Sequence, residues 1–125
     1  AYWPEKIKAG VESNELVMTM DMYPTFAELA DSKTVLDNLD GRSVLSHLLQ
    51  QESLSKRAVC WKIRNERAIR KGKWKLVLLS DSEPELYDLS NDIDEQKNIS
   101  PKNHGVVQQL LKDYQTWETD VTSNY

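Results

Sequence analysis

Residues 67–79 read Arg-Ala-Ile-Arg-Lys-Gly-Lys-Trp-Lys-Leu-Val-Leu-Leu. The stretch predicts two short strands joined at Lys71-Gly72. Glycine reaches positive φ without a Cβ clash, so a glycine between two alternating segments signals a hairpin. On the first arm Ala68 and Ile69 lie between Arg67 and Arg70. On the second, Lys73 and Lys75 alternate with Trp74 and Leu76, and the run then turns wholly apolar at Val77-Leu78-Leu79. The turn end is cationic, and the far end, Leu76 to Leu79, is expected in a core.

The segments on either side extend the pattern. In 57–64, Val59, Trp61 and Ile63 alternate with Ala58, Cys60, Lys62 and Arg64, which predicts a strand. Asn65-Glu66 is the expected turn into the hairpin. Glu85-Leu86-Tyr87-Asp88-Leu89 reads as a fourth strand after the loop 81–84. Closely spaced turns make a four-stranded antiparallel meander the economical reading. Downstream, Ser100-Pro101 reads as a cap followed by proline at the first helical position. Val106, Val107, Leu110, Leu111, Tyr114 and Trp117 recur at three- and four-residue spacing. They predict a long amphipathic helix over 101–120 whose stripe covers one face of the sheet. The fold class is therefore α+β.

Upstream, residues 1–12 read as extended or loop. Asp21 is expected to cap a short helix, with Pro24 tolerated in its first turn and Phe26, Leu29 and Ala30 on its apolar side. Ser43, after Asp40-Gly41, is expected to cap a second short helix carrying Val44, Leu45, Leu48 and Leu49. His47 falls on the polar side of that pattern and reads as a surface histidine.

The 125 residues carry a net charge of −4, unevenly spread. Lys56 to Lys75 holds nine basic residues and one acid, Glu66, so the remainder of the chain carries −12. Such a patch can act on an anionic partner although the chain as a whole is acidic. A solvated strand face is the ordinary alternative. A single cysteine, Cys60, excludes an internal disulfide and a Cys₄ or Cys₂His₂ metal cage. No apolar run reaches membrane-spanning length. Asp88, Ser90 and Asp92 have the alternate spacing of a calcium loop, but the glycine at its sixth position and the glutamate at its twelfth are missing. Asn98-Ile99-Ser100 is a glycosylation sequon, followed directly by Pro101. The opening Ala1-Tyr2-Trp3-Pro4 is neither a signal peptide nor a helix start, and a piece of a longer protein is expected.

Taken in order, these residues resemble a known family. Trp3-Pro4, Ile7, Ala9-Gly10, Glu15-Leu16-Val17, Asp21, Pro24-Thr25 and Glu28-Leu29-Ala30 come first. Asp40-Gly41-Arg42-Ser43-Val44-Leu45 follows, then Arg67 to Leu76, Glu85-Leu86-Tyr87-Asp88-Leu89, Asn91-Asp92, Glu95 and Asn98. No one piece is diagnostic, but the ordered set resembles the C-terminal portion of formylglycine-dependent sulfatases of the arylsulfatase type, over about residues 3–118.

The resemblance implies a small four-stranded antiparallel sheet with a long helix, packed beside an active site. It also implies a preceding loop-and-helix segment that belongs to an alkaline-phosphatase-like α/β domain. Residues 1–30 would be the tail of that catalytic domain, 31–55 a connecting segment with a short helix, 56–121 the sheet-and-helix subdomain, and 122–125 a frayed end. Calcium, formylglycine and most sulfate-holding residues are implied in the N-terminal catalytic domain, and no cofactor in this stretch. The implied substrate is a sulfated small molecule or glycan and the implied compartment periplasmic or extracellular. Cys60-Trp61-Lys62-Ile63-Arg64 has the C-x-x-x-R spacing of the formylglycine motif, but Lys62 stands where that motif wants proline or alanine. Cys60 is also expected in mid-strand, not at a helix start.

Catalytic and metal-binding residues are thus expected to be absent from this stretch. Lys62, Arg64, Asn65 and Arg67, around the first turn, are the candidate substrate-binding cluster, as one wall of the cleft. Arg70, Lys71 and Lys73 form a second cluster at the other turn, and at most one of the two faces the cleft. The alternative function is a stand-alone interaction module that binds an anionic partner through these hairpins. Basic residues interleaved with Trp61 and Trp74 also describe a nucleic-acid-binding sheet, but the acidic balance and the lack of an RNP-type signature argue against it. Exposed apolar residues of 21–30 would favour dimerisation of the isolated stretch.

Overall fold

A computed structural model describes residues 1–32 and 39–123. Within the predicted connecting segment, residues 33–38 lie outside the described residues, as do 124 and 125 at the end. The chain divides into two compact units, Ala1–Ser55 and Lys56–Tyr125.

The second unit holds β1 (Ala58–Ile63), β2 (Glu66–Lys71), β3 (Trp74–Leu78) and β4 (Glu85–Asp88), followed by the long helix of this unit, His104–Ser123. The strands pair antiparallel in sequence order, a four-stranded meander. The fold is α+β, with the long helix on one face of the sheet.

Register settles which residues share a face, because side chains alternate along each strand. Cys60 pairs with Ile69, Ile69 with Leu76, and Leu76 with Leu86. This row lies under the helix. Ile69, Leu76 and Leu86 are fully buried with Val107, Leu110 and Tyr114 of the helix, while Cys60, Trp74, Leu78 and Trp117 pack around them. The apolar run at the end of β3 is therefore split. Leu76 and Leu78 go to the helix, whereas Val77 and Leu79 line a shallow groove on the opposite face with Trp61, Ile63 and Ala68.

Several boundaries differ from the sequence expectation. The β1–β2 loop is Arg64-Asn65, one residue before the expected Asn65-Glu66, because Ile63 pairs directly with Glu66. The β2–β3 loop is Gly72-Lys73, because Lys71 pairs directly with Trp74. Gly72 takes φ +58 at the first loop position, one residue later than expected. The helix begins at His104, since Ser100–Lys102 with Pro101 form a separate 3₁₀ turn. It then continues past Asp120 to Ser123, where the hydroxyls of Thr119, Thr122 and Ser123 donate to carbonyls one turn back.

In the first unit, α1 (Met22–Leu29) and α2 (Leu45–Gln50) are the helices, and the C-terminal helix of the second unit is therefore α3. Asp21 does not cap α1 with its side chain. Its buried carboxylate faces backward and across. Oδ2 accepts from the Met18 amide at 2.7 Å and Oδ1 from the Arg42 amide at 3.0 Å. Thr25 Oγ1 donates to the Asp21 carbonyl at 2.6 Å and accepts from the Val44 amide at 3.0 Å. Gly41 lies so close to Met20 that a Cβ would overlap its carbonyl. The motifs Asp-x-x-Pro-Thr and Asp-Gly-x-Ser are thus two halves of one clasp. It satisfies backbone donors that would otherwise be buried without partners. Ser43 accepts from the Leu45 amide at 3.2 Å, a local turn at the entry to α2.

Candidate functional site: the basic hairpins

The first candidate cluster sits at the β1–β2 end. Lys62 and Arg67 are a cross-strand pair, Ile63 pairs with Glu66, and Arg64-Asn65 form the two-residue loop. The four predicted residues are therefore together at one end of the sheet, but they differ in surroundings. Lys62 is on the α3 face and binds Glu118 Oε1 at 2.6 Å. The Lys62 hydrogen bond holds the Glu118 carboxyl below its usual range, and the nearby Arg67 charge adds to this. Arg64 and Asn65 are exposed at the tip. Arg64 has φ +55, a left-handed conformation that costs a non-glycine residue roughly 1–2 kcal/mol.

The second cluster is tied down throughout. Lys71 Nζ meets Asp113 Oδ2 at 2.7 Å, and Gln109 Nε2 donates to the other oxygen at 2.9 Å. Lys73 Nζ meets Asp88 Oδ2 at 2.7 Å and lies 4.3 Å from the centre of the Trp74 ring. Arg70 Nε donates to the Gly72 carbonyl. Lys75, on the other face, pairs with Glu95 at 2.5 Å. These acids follow Lys75 in sequence, and the charge asymmetry along the chain folds up into local neutrality. Helical spacing puts Asp113 and Glu118 beside the buried positions Leu110 and Tyr114, at the edge of the stripe that faces the sheet.

The calcium-like acids are also engaged. Asp88 Oδ1 accepts from the Ser90 amide and hydroxyl, and the Asp92 carboxylate accepts from the Gln96 and Lys97 amides. Among the described residues no group of three or more His, Cys, Asp or Glu side chains could hold a metal ion. Cys60 lies within β1, and burial, with the Asp113 charge, pushes its thiol up to about 11. That environment does not fit a residue converted to formylglycine, and among the described residues no carboxylate cluster fits calcium. His47 is more than a surface histidine: Nδ1 meets the Glu52 carbonyl at 2.6 Å and Nε2 the Ser13 hydroxyl at 2.8 Å. It ties the loop before α1 to the end of α2.

Comparison with known proteins places this architecture. Residues 1–120 match the family model described as N-sulphoglucosamine sulphohydrolase, C-terminal. The chain belongs to this family. It corresponds to the C-terminal region of the formylglycine-dependent sulfatases. An uncharacterized sulfatase of Schizosaccharomyces pombe is 29% identical over 94% of this chain and 24% of its own length. The ulvan-active sulfatase of Formosa agariphila is 30% identical over 94% of this chain and 32% of its own length. The structure of Ps i-CgsB in complex with k-i-k-neocarrahexaose superposes with a TM-score of 0.78 at 26% identity, covering 93% of this chain and 27% of that one. The chain thus spans about a quarter to a third of the length of these relatives.

Proposed function

We propose that this chain is the C-terminal subdomain of a sulfuric ester hydrolase acting on a sulfated glycan or small molecule. The match of residues 1–120 to a sulfatase C-terminal family carries this reading. Residues 1–30 would complete an N-terminal catalytic domain, 31–55 would connect, and 56–121 would stand beside the active site. That catalytic domain would hold formylglycine and calcium, whose Lewis acidity stabilises charge on the sulfuryl oxygens. The glycan class is supported by the ulvan-active relative and by the oligosaccharide complex, and export to the periplasm or medium accords with polymeric substrates of that kind.

In this role Lys62, Arg64, Asn65 and Arg67 form one wall of the substrate cleft. Positive potential there raises the encounter rate with an anionic substrate, and salt screens the effect. The enzyme containing this chain is expected to turn over 4-nitrophenyl sulfate, and the 125-residue chain alone is not. Turnover by the pure chain, or no sulfate release by the longer enzyme from either 4-nitrophenyl sulfate or sulfated oligosaccharides, would refute the reading. Charge reversal at Lys62 and Arg64 is expected to weaken the salt dependence of kcat/KM; an unchanged dependence removes the cleft-wall assignment.

A further inference from the structure

Charge pairing sorts the cations of the sheet. Lys62, Lys71, Lys73 and Lys75 each hold a carboxylate, Arg70 donates to a backbone carbonyl, and Arg67 lies in the field of Glu118. Among the described cations from Ala58 to Leu78, Arg64 alone has no such partner. It is also the one held at positive φ. Asn65, its neighbour, is of the type that tolerates that conformation. The first position of a two-residue hairpin loop takes positive φ by turn geometry, and a non-glycine residue held there is strained, as residues at ligand clamps often are. Here the base of the hairpin is pinned from both sides: Lys62 pairs across to Arg67 and down to Glu118 on α3. Beside Arg64 stand Ile63, 70% exposed, and the exposed Asn65. An exposed guanidinium, an amide and an apolar side chain on a rigid tip match an anionic saccharide. They offer charge-assisted donors, a hydroxyl partner and a surface for a C–H face.

We propose that Arg64 is a specificity-determining residue that holds a second anionic group of a polyanionic saccharide, separate from the ester that is cleaved. The proposal rests on the sulfatase reading above. It divides the predicted cluster: Arg64 and Asn65 touch the ligand, while Lys62 and Arg67 position the tip.

The test uses the enzyme containing this chain and two fluorescently labelled probes, a carrageenan hexasaccharide bearing only sulfates and a hexagalacturonate bearing only carboxylates. Arg64→Asn keeps a residue that accepts positive φ, and Arg64→Gly is a second removal variant should the first fold poorly. Losing one charge-assisted contact is expected to raise the dissociation constant of at least one probe about tenfold and to make its salt dependence shallower. The probe affected names the group held. Arg64→Lys, which keeps the charge but not the planar fork, is expected to recover only part of the loss. Unchanged binding of both probes in the removal variants overturns the proposal, as does a wild-type enzyme that binds neither. Sulfate release by the wild-type enzyme from 4-nitrophenyl sulfate and from sulfated oligosaccharides tests the underlying reading separately. Release with unchanged binding refutes the role of Arg64 alone, whereas no release from either substrate class refutes both.

Discussion

Cys60 lies in β1 opposite Ile69, and its thiol is pushed up to about 11 by burial and the Asp113 charge. The thiolate is the nucleophile. At pH 8 a thiol at about 11 is therefore ionised roughly a hundredfold less than one at 9.0. Iodoacetamide is expected to label Cys60 at least tenfold faster in urea than in the folded chain, read by mass spectrometry; equal rates would contradict the buried-strand assignment. Asp88 shows the opposite shift. Hydrogen bonds from Lys73 and Ser90 hold its carboxyl at about 2 against an ordinary 3.8. Between those values the unfolded chain binds more protons than the folded one, so the interaction stabilises the fold above pH 3.8 and is lost as pH falls toward 2. Asp88→Asn should therefore flatten the stability–pH profile in that window relative to wild type, as followed by urea melts. A profile of the same slope in both proteins would show that the Lys73 pair contributes nothing there, as many exposed pairs do.

The helix on the sheet shows what sequence pattern can and cannot convey. The three- and four-residue spacing of Val107, Leu110 and Tyr114 foretold a helix with one buried stripe, and those three are the buried positions. Alternation in 57–64 and 67–79 foretold the strands. It did not foretell which face goes under the helix, because β1 carries apolar residues on both: Cys60 on one, Trp61 and Ile63 on the other. Only pairing across the sheet decides that. The turn expected at Lys71-Gly72 lies one residue early for a related reason. A glycine at positive φ serves at either loop position, and the Lys71–Trp74 pair selects the first. The pairing of Lys71 and Lys62 with helix acids was invisible because it joins residues 42 and 56 positions apart. Core energetics follow from the observed stripe. Leu110 is 2% exposed against Ile69, Leu76 and Leu86. Leu110→Ala is expected to cost about 2–5 kcal/mol. In urea the midpoint should fall with an unchanged slope. A loss under 1 kcal/mol would mean that α3 does not seal this core.

At the scale of the molecule, the two units differ in how much they bury. The second unit encloses six buried apolar side chains in one cluster. The first keeps Asp21, Pro24, Thr25 and Val44 inside. It leaves Tyr2, Val11, Val17, Met20, Met22, Tyr23, Phe26 and Leu29 exposed. Its order rests mainly on the hydrogen-bonded clasp of Asp21, Thr25 and Arg42 and on the His47 tie, and an intramolecular hydrogen bond contributes only about 1 kcal/mol net. The family motifs of this region were legible in sequence as spacing, but their physical role as a clasp was not, because it joins Asp21 to Arg42 and Thr25 to Val44. Opening free energies therefore should differ between the units. In hydrogen exchange of the 125-residue chain, amides paired in β1–β4 and in the middle of α3 are expected to be protected at least a hundredfold more than those of α1, a gap of about 2.7 kcal/mol or more. Gly41→Ala, which forces a Cβ onto the Met20 carbonyl, should then erase the remaining protection of α1 and leave that of the sheet unchanged. Equal protection of both units would show that the clasp is worth as much as an apolar core. In the longer enzyme proposed above, α1 should become as protected as the sheet, because the exposed apolar side chains of residues 2–29 would then be covered. If α1 exchanges as fast there as in the 125-residue chain, residues 1–30 do not complete a catalytic domain.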